Sequence, residues 1–229
     1  IGFLASRPSD PKLEIARGDV RDPGFVAPLL REGDVVFHLA AHISIPYSYE
    51  APQDVAAVNV TGTLNLLEAC RRTKIHRLVH TSTSEVYGTA RYVPIDENHP
   101  INTQSPYAAS KYAADKLVQS YVCSFGLPAV TVRPFNTFGP RQSQRAVIPA
   151  IIAQALSSQA IRLGSLTPRR DFTFVADTVA GFIAAAEAGE DVIGAEINLG
   201  TGRDISIGEV AAMIRDQIDR NIPIEQDLT

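Results

Sequence analysis

Short apolar runs alternate with stretches of helical period along most of this chain, and no other feature restricts its fold as tightly. Residues 34–40 (DVVFHLA) form a short apolar run, the pattern of a strand buried on both faces. A helical stretch follows at 59–73, with Val60, Leu64, Leu67 and Cys70 near one face. Residues 77–81 and 129–133 read as further strands. Residues 107–125 read as a long helix behind Ser105-Pro106, with Gly126 as its stop. Helices are expected at 146–156 and 177–188, a short strand at 196–199, and a further strand beginning at 221–225. Ser206 and Glu209 have capping-box spacing at the head of a last helix, 206–219.

Such alternation requires a parallel sheet with helices on both faces, so the expected fold is α/β, a doubly wound parallel sheet. The pattern loosens beyond residue 140. The expected division is a sheet region over 1–140 and, over 141–229, a smaller substrate-facing region interleaved with returning elements of the sheet. The polar loop 88–106 is of a length usually functional or disordered.

Composition removes several classes of function. At 45% apolar and 20% charged residues the chain is ordinary for a globular protein. Its 229 residues suit one large domain, or one and a half, at ~150 residues each. A net charge of −4 disfavours nucleic acid and acidic membranes as partners. Charge or proline interrupts every apolar run well short of the ~18 residues of a membrane helix. Cys70 and Cys123 are too few for a disulfide framework, so a cytoplasmic setting is expected. The histidines show no ligand spacing with cysteines or carboxylates, so no metal site is expected; His38, inside an apolar run, reads as a packed side chain. The opening residues lack the basic and apolar regions of a signal peptide. With Met213 as the sole methionine, the expectation is a fragment trimmed at both ends.

In parallel sheets of this kind ligands sit at the carboxyl ends of the strands. Polar, chemically able residues follow each expected strand: Asp19 after 13–16, Ala40-Ala41-His42, Ser82-Thr83-Ser84-Glu85, and Pro134-Phe135-Asn136. Tyr107 and Lys111 lie one helical turn apart on one face. A lysine cation beside a phenol favours the phenolate, which predicts a tyrosine pKa lowered from ~10 toward neutrality and a general base. A surface tyrosine beside a solvated lysine is the plain alternative for an isolated pair. Here the hydroxyl-rich segment 81–88 (TSTSEVYG) could hold a substrate oxygen near Tyr107. The small neighbours Ala108, Ala109 and Ser110 would allow a flat ring to approach.

Taken together, these segments resemble one family. They are Gly18-Asp19-Val20, 36–41 (VFHLAA), 59–65 (NVTGTLN), 83–88 (TSEVYG), 107–111 (YAASK), 133–136 (RPFN) and 170–172 (RDF). In order and spacing they are similar to the extended short-chain dehydrogenase/reductases, the NAD-dependent epimerase/dehydratase family. The resemblance implies a Rossmann-like sheet. The family's Gly-rich pyrophosphate turn has no match here, so its first strand, helix and most of its second strand are expected upstream of residue 1.

By the same resemblance, Asp19 and Val20 would contact the adenine end of NAD, and Leu39, Ala40 and Ala41 its ribose and pyrophosphate side. Asn59 would support the site, with Ser82, Tyr107, Lys111 and Pro134 completing the cofactor pocket. Ser48, Asn136, Val147, Ile148 and Arg170 would meet the nucleotide-sugar, Arg170 gripping a phosphate. A homodimer through the helices carrying Asn59 and Tyr107 is also implied.

The family's shared chemistry is oxidation at C4 of a nucleotide-sugar, with Thr83, Tyr107 and Lys111 as its catalytic group. A 4,6-dehydratase must also remove the C5 proton and expel the 6-hydroxyl. Glu85 stands where the family's dehydratases carry a glutamate, and Ser84, Glu85 or a water could serve the leaving hydroxyl. Longer stretches, 45–49 (IPYSY), 88–90, 140–143 and 145–149, resemble nucleotide-N-acetylglucosamine 4,6-dehydratases of the legionaminic-acid type. A nucleotide-sugar 4-epimerase, a UDP-glucuronate decarboxylase and a non-catalytic dinucleotide-binding scaffold are the alternative readings.

Overall fold

The computed structural model describes residues 11–227, so the reading of the opening segment lies outside the described residues. In chain order the elements are α1 (Pro23–Val26), β1 (Val35–His38), α2 (Ile45–Glu50), α3 (Pro52–Ala56) and a π turn (Ala57–Thr61). Then come α4 (Gly62–Thr73), β2 (Arg77–Thr81), a 3-10 turn (Ser84–Tyr87), α5 (Pro106–Phe125), β3 (Ala129–Pro134) and β4 (Asn136–Phe138). The remainder is α6 (Val147–Ser157), β5 (Ile161–Leu163), β6 (Arg169–Arg170), β7 (Phe172–Phe174), α7 (Val175–Glu187), β8 (Glu196–Leu199), β9 (Ile205–Ser206), α8 (Ile207–Ile218) and β10 (Ile224–Gln226).

Strands β1, β2, β3 and β8 form one sheet in that order, and every pair is parallel. His38 lies beside His80, Thr81 beside Val132, and Pro134 beside Leu199. The segments that follow these strands therefore emerge along a single edge.

Helices cover both faces. On one, α4 and α5 bring Leu66, Leu67, Cys70, Val118 and Tyr121 onto Leu78 and Ala129. On the other, Phe182, Ala185 and Ala186 of α7 cover Val79, Val130 and Val132. Neighbouring residues of one strand, Leu78 and Val79, thus enter opposite layers, as a period of two requires. A third cluster joins Ile151 and Ala155 of α6, Ile161 of β5, and Val210 and Ala211 of α8. β10 pairs parallel with β5 beside it.

Local chemistry sets the helix that matters most here. Ser105 accepts a hydrogen bond from Ala108 N at 3.0 Å, and Pro106 occupies the first turn of α5. At the other end Gly126 takes φ 64°, with its N–H on the Val122 carbonyl. The capping box at Ser206 and Glu209 forms with both reciprocal hydrogen bonds.

Three expectations fail. Residues 13–16 form no strand: Leu13 and Ile15 are 40% and 44% exposed. A strand is held by its ladder, and no described strand pairs with this one. The run 34–40 is not buried on both faces, because β1 is an outer strand bonded only to β2, with Val35 43% exposed. The helical stripe also differs. The buried positions are Gly62, Thr63, Leu66, Leu67, Ala69 and Cys70, while Leu64 faces outward, and the π turn before Gly62 shifts the phase of Val60.

The loop 88–106 is tied down at several points. Asn102 N donates to the Val86 carbonyl, Asn198 Nδ2 to the Ile95 carbonyl, and Asn198 N to Glu97 Oε1 at 2.8 Å. Gly88, at φ 64°, lets the loop fold back so closely that a Cβ would meet the Asn102 carbonyl oxygen.

Candidate active site

The carboxyl edge of the sheet gathers four segments. After β1, Leu39 and Ala40 are exposed and Ala41 is half-buried. Asn59 fixes the chain just beyond them. Its Oδ1 accepts from His42 N at 2.8 Å, and its Nδ2 donates to the His42 carbonyl at 3.0 Å and to Ser110 Oγ at 2.9 Å. Ser110 Oγ in turn donates to the Tyr107 carbonyl at 2.7 Å. The π turn thus places one buried amide between the β1 exit and α5, a frequent use of π geometry at functional sites.

After β2, Ser82 is buried and donates to Asp115 Oδ2 at 2.7 Å. Thr83 caps the 3-10 turn, accepting from Glu85 N at 3.2 Å. Ser84 and Glu85 are half-buried. Among the described residues the Glu85 carboxylate has no hydrogen-bond or salt-bridge partner, so it is not the cap of its own turn.

Tyr107 faces this segment from α5 and is 7% exposed. Burial pushes its phenol pKa up, and the negative charges of Glu85 and Asp115 add to the rise. The Thr83 hydroxyl, which favours the phenolate, opposes it. Lys111 is buried one turn on, and burial pulls its ammonium down to about 8 against the charge of Asp115. The phenol thus lies above its ordinary range, against the lowering expected from the i, i+4 spacing. Burial disfavours the charged form of each group.

Toward the β1 side, Asp19 is exposed and gripped by the Arg21 guanidinium, which holds its carboxyl down at about 2. Val20 lies against Gly62, where a Cβ would come within 2.6 Å of its side chain. Asp54 collects Arg21 Nη1 at 2.8 Å, the Tyr47 hydroxyl at 3.0 Å and His42 Nε2 at 3.1 Å.

At the third exit, Pro134 ends β3. Asn136 N donates to the Asp171 carbonyl at 3.0 Å as β4 pairs with β7. Arg170 is exposed beside that contact, with Nη1 on the Arg169 carbonyl. Three further assigned positions, Ser48, Val147 and Ile148, have these contacts. Ser48 is fully buried and donates to the Ile45 carbonyl at 2.6 Å, so its hydroxyl is engaged within α2. Val147 and Ile148 pack on the third hydrophobic cluster.

Sequence reasoning missed the buried polar cluster beneath the edge. Arg133, fully buried, pairs with Asp115 at 3.1 Å and Glu196 at 2.9 Å and donates to the Tyr87 hydroxyl at 3.1 Å. His80 Nε2 lies 3.2 Å from Asp115 Oδ1. Polar residues inside the apolar strands, His80 and Arg133, were the available signal. Replacing Arg133 with methionine strands a buried carboxylate, so an unfolding free-energy loss of about 3–5 kcal/mol is expected in urea denaturation. A loss under ~1 kcal/mol would show the pair to be dispensable. Among the described residues no group of three or more His, Cys, Asp or Glu side chains could hold a metal, and no helix is long and apolar enough to cross a membrane.

Residues 4–228 match the family model described as GDP-mannose 4,6 dehydratase. The UDP-glucose 4-epimerase of Mycolicibacterium smegmatis is 36% identical over 92% of this chain and 69% of its own length. The dTDP-glucose 4,6-dehydratase of an Actinoplanes species is also 36% identical, over 81% of this chain and 58% of its length. Among solved structures, a dTDP-glucose 4,6-dehydratase from Streptomyces venezuelae with NAD bound superposes at a TM-score of 0.88. It is 31% identical and covers 98% of this chain and 70% of that one.

Proposed function

The chain belongs to the GDP-mannose 4,6 dehydratase family of NAD-dependent epimerases and dehydratases, with the extended short-chain dehydrogenase/reductase fold, and on that basis we propose that it is a nucleotide-sugar 4,6-dehydratase acting on a nucleoside-diphosphate N-acetylglucosamine. The observation that carries the dehydratase reading is the Glu85 carboxylate. It stands without a hydrogen-bond or salt-bridge partner among the described residues, close enough to Tyr107 for its charge to act on the phenol.

The residues present suit NAD at its reactive end. A buried tyrosine and a buried lysine lie one turn apart on α5, with buried Ser82 and Thr83 after β2 and exposed Leu39 and Ala40 after β1. Leu39, Ala40, Ala41, Ser82, Tyr107, Lys111 and Pro134 would hold that end, with Asp19 and Val20 at the adenine and Asn59 fixing the frame. When bound, NAD supplies the hydride acceptor for C4 and the hydride later returned to C6.

Tyr107 takes the proton of the sugar 4-hydroxyl as C4 becomes a ketone, with Thr83 orienting the oxygen. The ketone acidifies the C5 hydrogen. Glu85 removes it, and the 6-hydroxyl leaves as water with a proton from Ser84, Glu85 or a bound water. Arg170 is set for a phosphate, whose oxygens match a guanidinium fork, and Asn136 for the diphosphate beside it. The protein is proposed to act in the cytoplasm as a homodimer through α4 and α5, where Leu64, Ala109 and Ala113 are exposed.

A 4-epimerase is the second reading. It is favoured by a UDP-glucose 4-epimerase that is as similar to this chain as the dehydratase is, and it needs no carboxylate at position 85. The test is turnover of UDP-, GDP- and dTDP-sugars by the full-length enzyme in deuterated water, followed by mass spectrometry. Loss of one water with one deuterium gained at C5 supports the dehydratase. An unchanged mass with inverted C4 replaces it with the epimerase, and loss of carbon dioxide from a uronate replaces it with the decarboxylase.

A further inference from the structure

We propose that Arg21 is a positioning residue for NAD: its guanidinium, anchored on Asp54, fixes the orientation in which the Asp19 carboxylate receives the amino group of the adenine. The proposal rests on the adenine role given above to Asp19; the clamp itself is a matter of contacts.

Residues 19–22 belong to no strand or helix, so other bonds must hold them. Asp22 N donates to the Asp19 carbonyl at 3.0 Å and closes a turn. Asn65 of α4 donates from Nδ2 to the carbonyls of Val20 at 3.1 Å and Arg21 at 2.9 Å. Val20 also rests on Gly62 at the head of the same helix. Helix α4 thus fixes the backbone of this segment and leaves the Asp19 side chain to be set separately.

Arg21 sets it. Its backbone N donates to Asp19 Oδ1 at 2.8 Å, its Nε lies 3.0 Å from each carboxylate oxygen, and its Nη2 meets Oδ2 at 2.6 Å. A planar fork on both oxygens fixes the plane of a carboxylate as well as its place. The remaining nitrogen, Nη1, donates to Asp54 Oδ1 on α3 at 2.8 Å. Asp54 Oδ2 receives the Tyr47 hydroxyl at 3.0 Å and His42 Nε2 at 3.1 Å. Asn59 holds the His42 backbone in turn. One guanidinium therefore ties together the segment of Asp19 and the loop after β1, the two stretches assigned to the adenine and ribose side of the cofactor.

An isolated exposed ion pair holds little geometry. Bidentate arginine–carboxylate contact and a network of several charges are the exceptions, and both are present here. A carboxylate oriented before binding spares the cost of ordering it during binding. The Arg21 grip also keeps Asp19 ionised. An ionised carboxylate only accepts hydrogen bonds, so it favours a ring amino group and opposes a ring carbonyl at the same place. Adenine carries the amino group and hypoxanthine the carbonyl, so the clamp should be read out as a preference between these two bases.

The experiment is calorimetric titration of the cofactor-free full-length enzyme with NAD and with its hypoxanthine analogue, in wild type, Arg21→Met, Asp54→Ala and Asp19→Ala. Wild type should prefer NAD by about tenfold or more, the usual worth of a hydrogen bond to a charged group. Arg21→Met should cut that preference to about threefold or less, and Asp54→Ala should move it the same way. Loss of the Arg21 charge weakens the attraction for both dinucleotides alike, and so does a general loosening of the fold, so the ratio of affinities reads the positioning alone. An unchanged ratio in Arg21→Met overturns the proposal, and an unchanged ratio in Asp54→Ala overturns the anchoring role of Asp54. Asp19→Ala separates the two layers. If it abolishes the preference while Arg21→Met keeps it, the adenine role of Asp19 stands and the clamp falls. If it keeps the preference, both fall. No sugar substrate enters the measurement, so the choice between dehydratase and epimerase has no bearing on its outcome.

Discussion

Tyr107→Phe should lower turnover by roughly 10²–10⁴-fold, the usual contribution of a positioned acid–base group, while NAD affinity and thermal stability stay near wild type. The substitution removes one oxygen from a ring that is 7% exposed and held by the packing of α5. The deleted hydroxyl is the one whose ionised form Thr83 favours and Glu85 opposes. No fold-level contact depends on it, so an unfolded variant is not expected. The pH profile carries a second part of the same prediction. Burial raises the phenol, and a base works only when deprotonated, so wild-type turnover should climb toward alkaline pH. Measuring kcat, cofactor affinity by fluorescence quenching and melting temperature separates these effects. Near-wild-type kcat in Tyr107→Phe would remove the tyrosine from the chemistry.

The elements legible in the sequence are those whose causes are local. Ser105-Pro106 and Gly126 bound α5 because a cap and a left-handed stop act within a few residues, and Ser206 with Glu209 closes a box within one turn. Spacing on one helix was enough to bring Tyr107 and Lys111 to one face. Nonlocal causes were not legible. Residues 13–16 have the composition of a strand, but a strand exists only through its ladder. The short pairings of β4 with β7 and of β6 with β9 involve two or three residues each, too few for a periodic signal.

The buried cluster was hidden for a related reason. Asp115 meets Arg133, Ser82 and His80 across separations of 18, 33 and 35 residues, and no motif spans those gaps. The electrostatic expectation for Tyr107 failed because charge proximity can be read from spacing, whereas desolvation depends on what covers the pair. The burial of Ser48 was hidden in the same way. A hydroxyl that matches a family position donates to its own helix and is fully buried.

Glu85→Gln should separate the two halves of the proposed reaction. Oxidation at C4 needs Tyr107, Lys111 and NAD. Water loss needs a base for C5. Glutamine keeps the shape of Glu85, and the turn survives, because the cap is the Thr83 hydroxyl accepting from the residue 85 backbone N–H. An amide cannot take the C5 proton, so dehydration should slow by roughly 10²–10⁴-fold, while reduced-cofactor absorbance builds up on adding substrate. The contrast with Tyr107→Phe is the informative part, since that variant should block the first half and show no such build-up. Wild-type dehydration in Glu85→Gln would place the base elsewhere. Undiminished C4 inversion with no water loss in either protein would mean that the carboxylate has no part in the chemistry and that the edge of this sheet serves an epimerase.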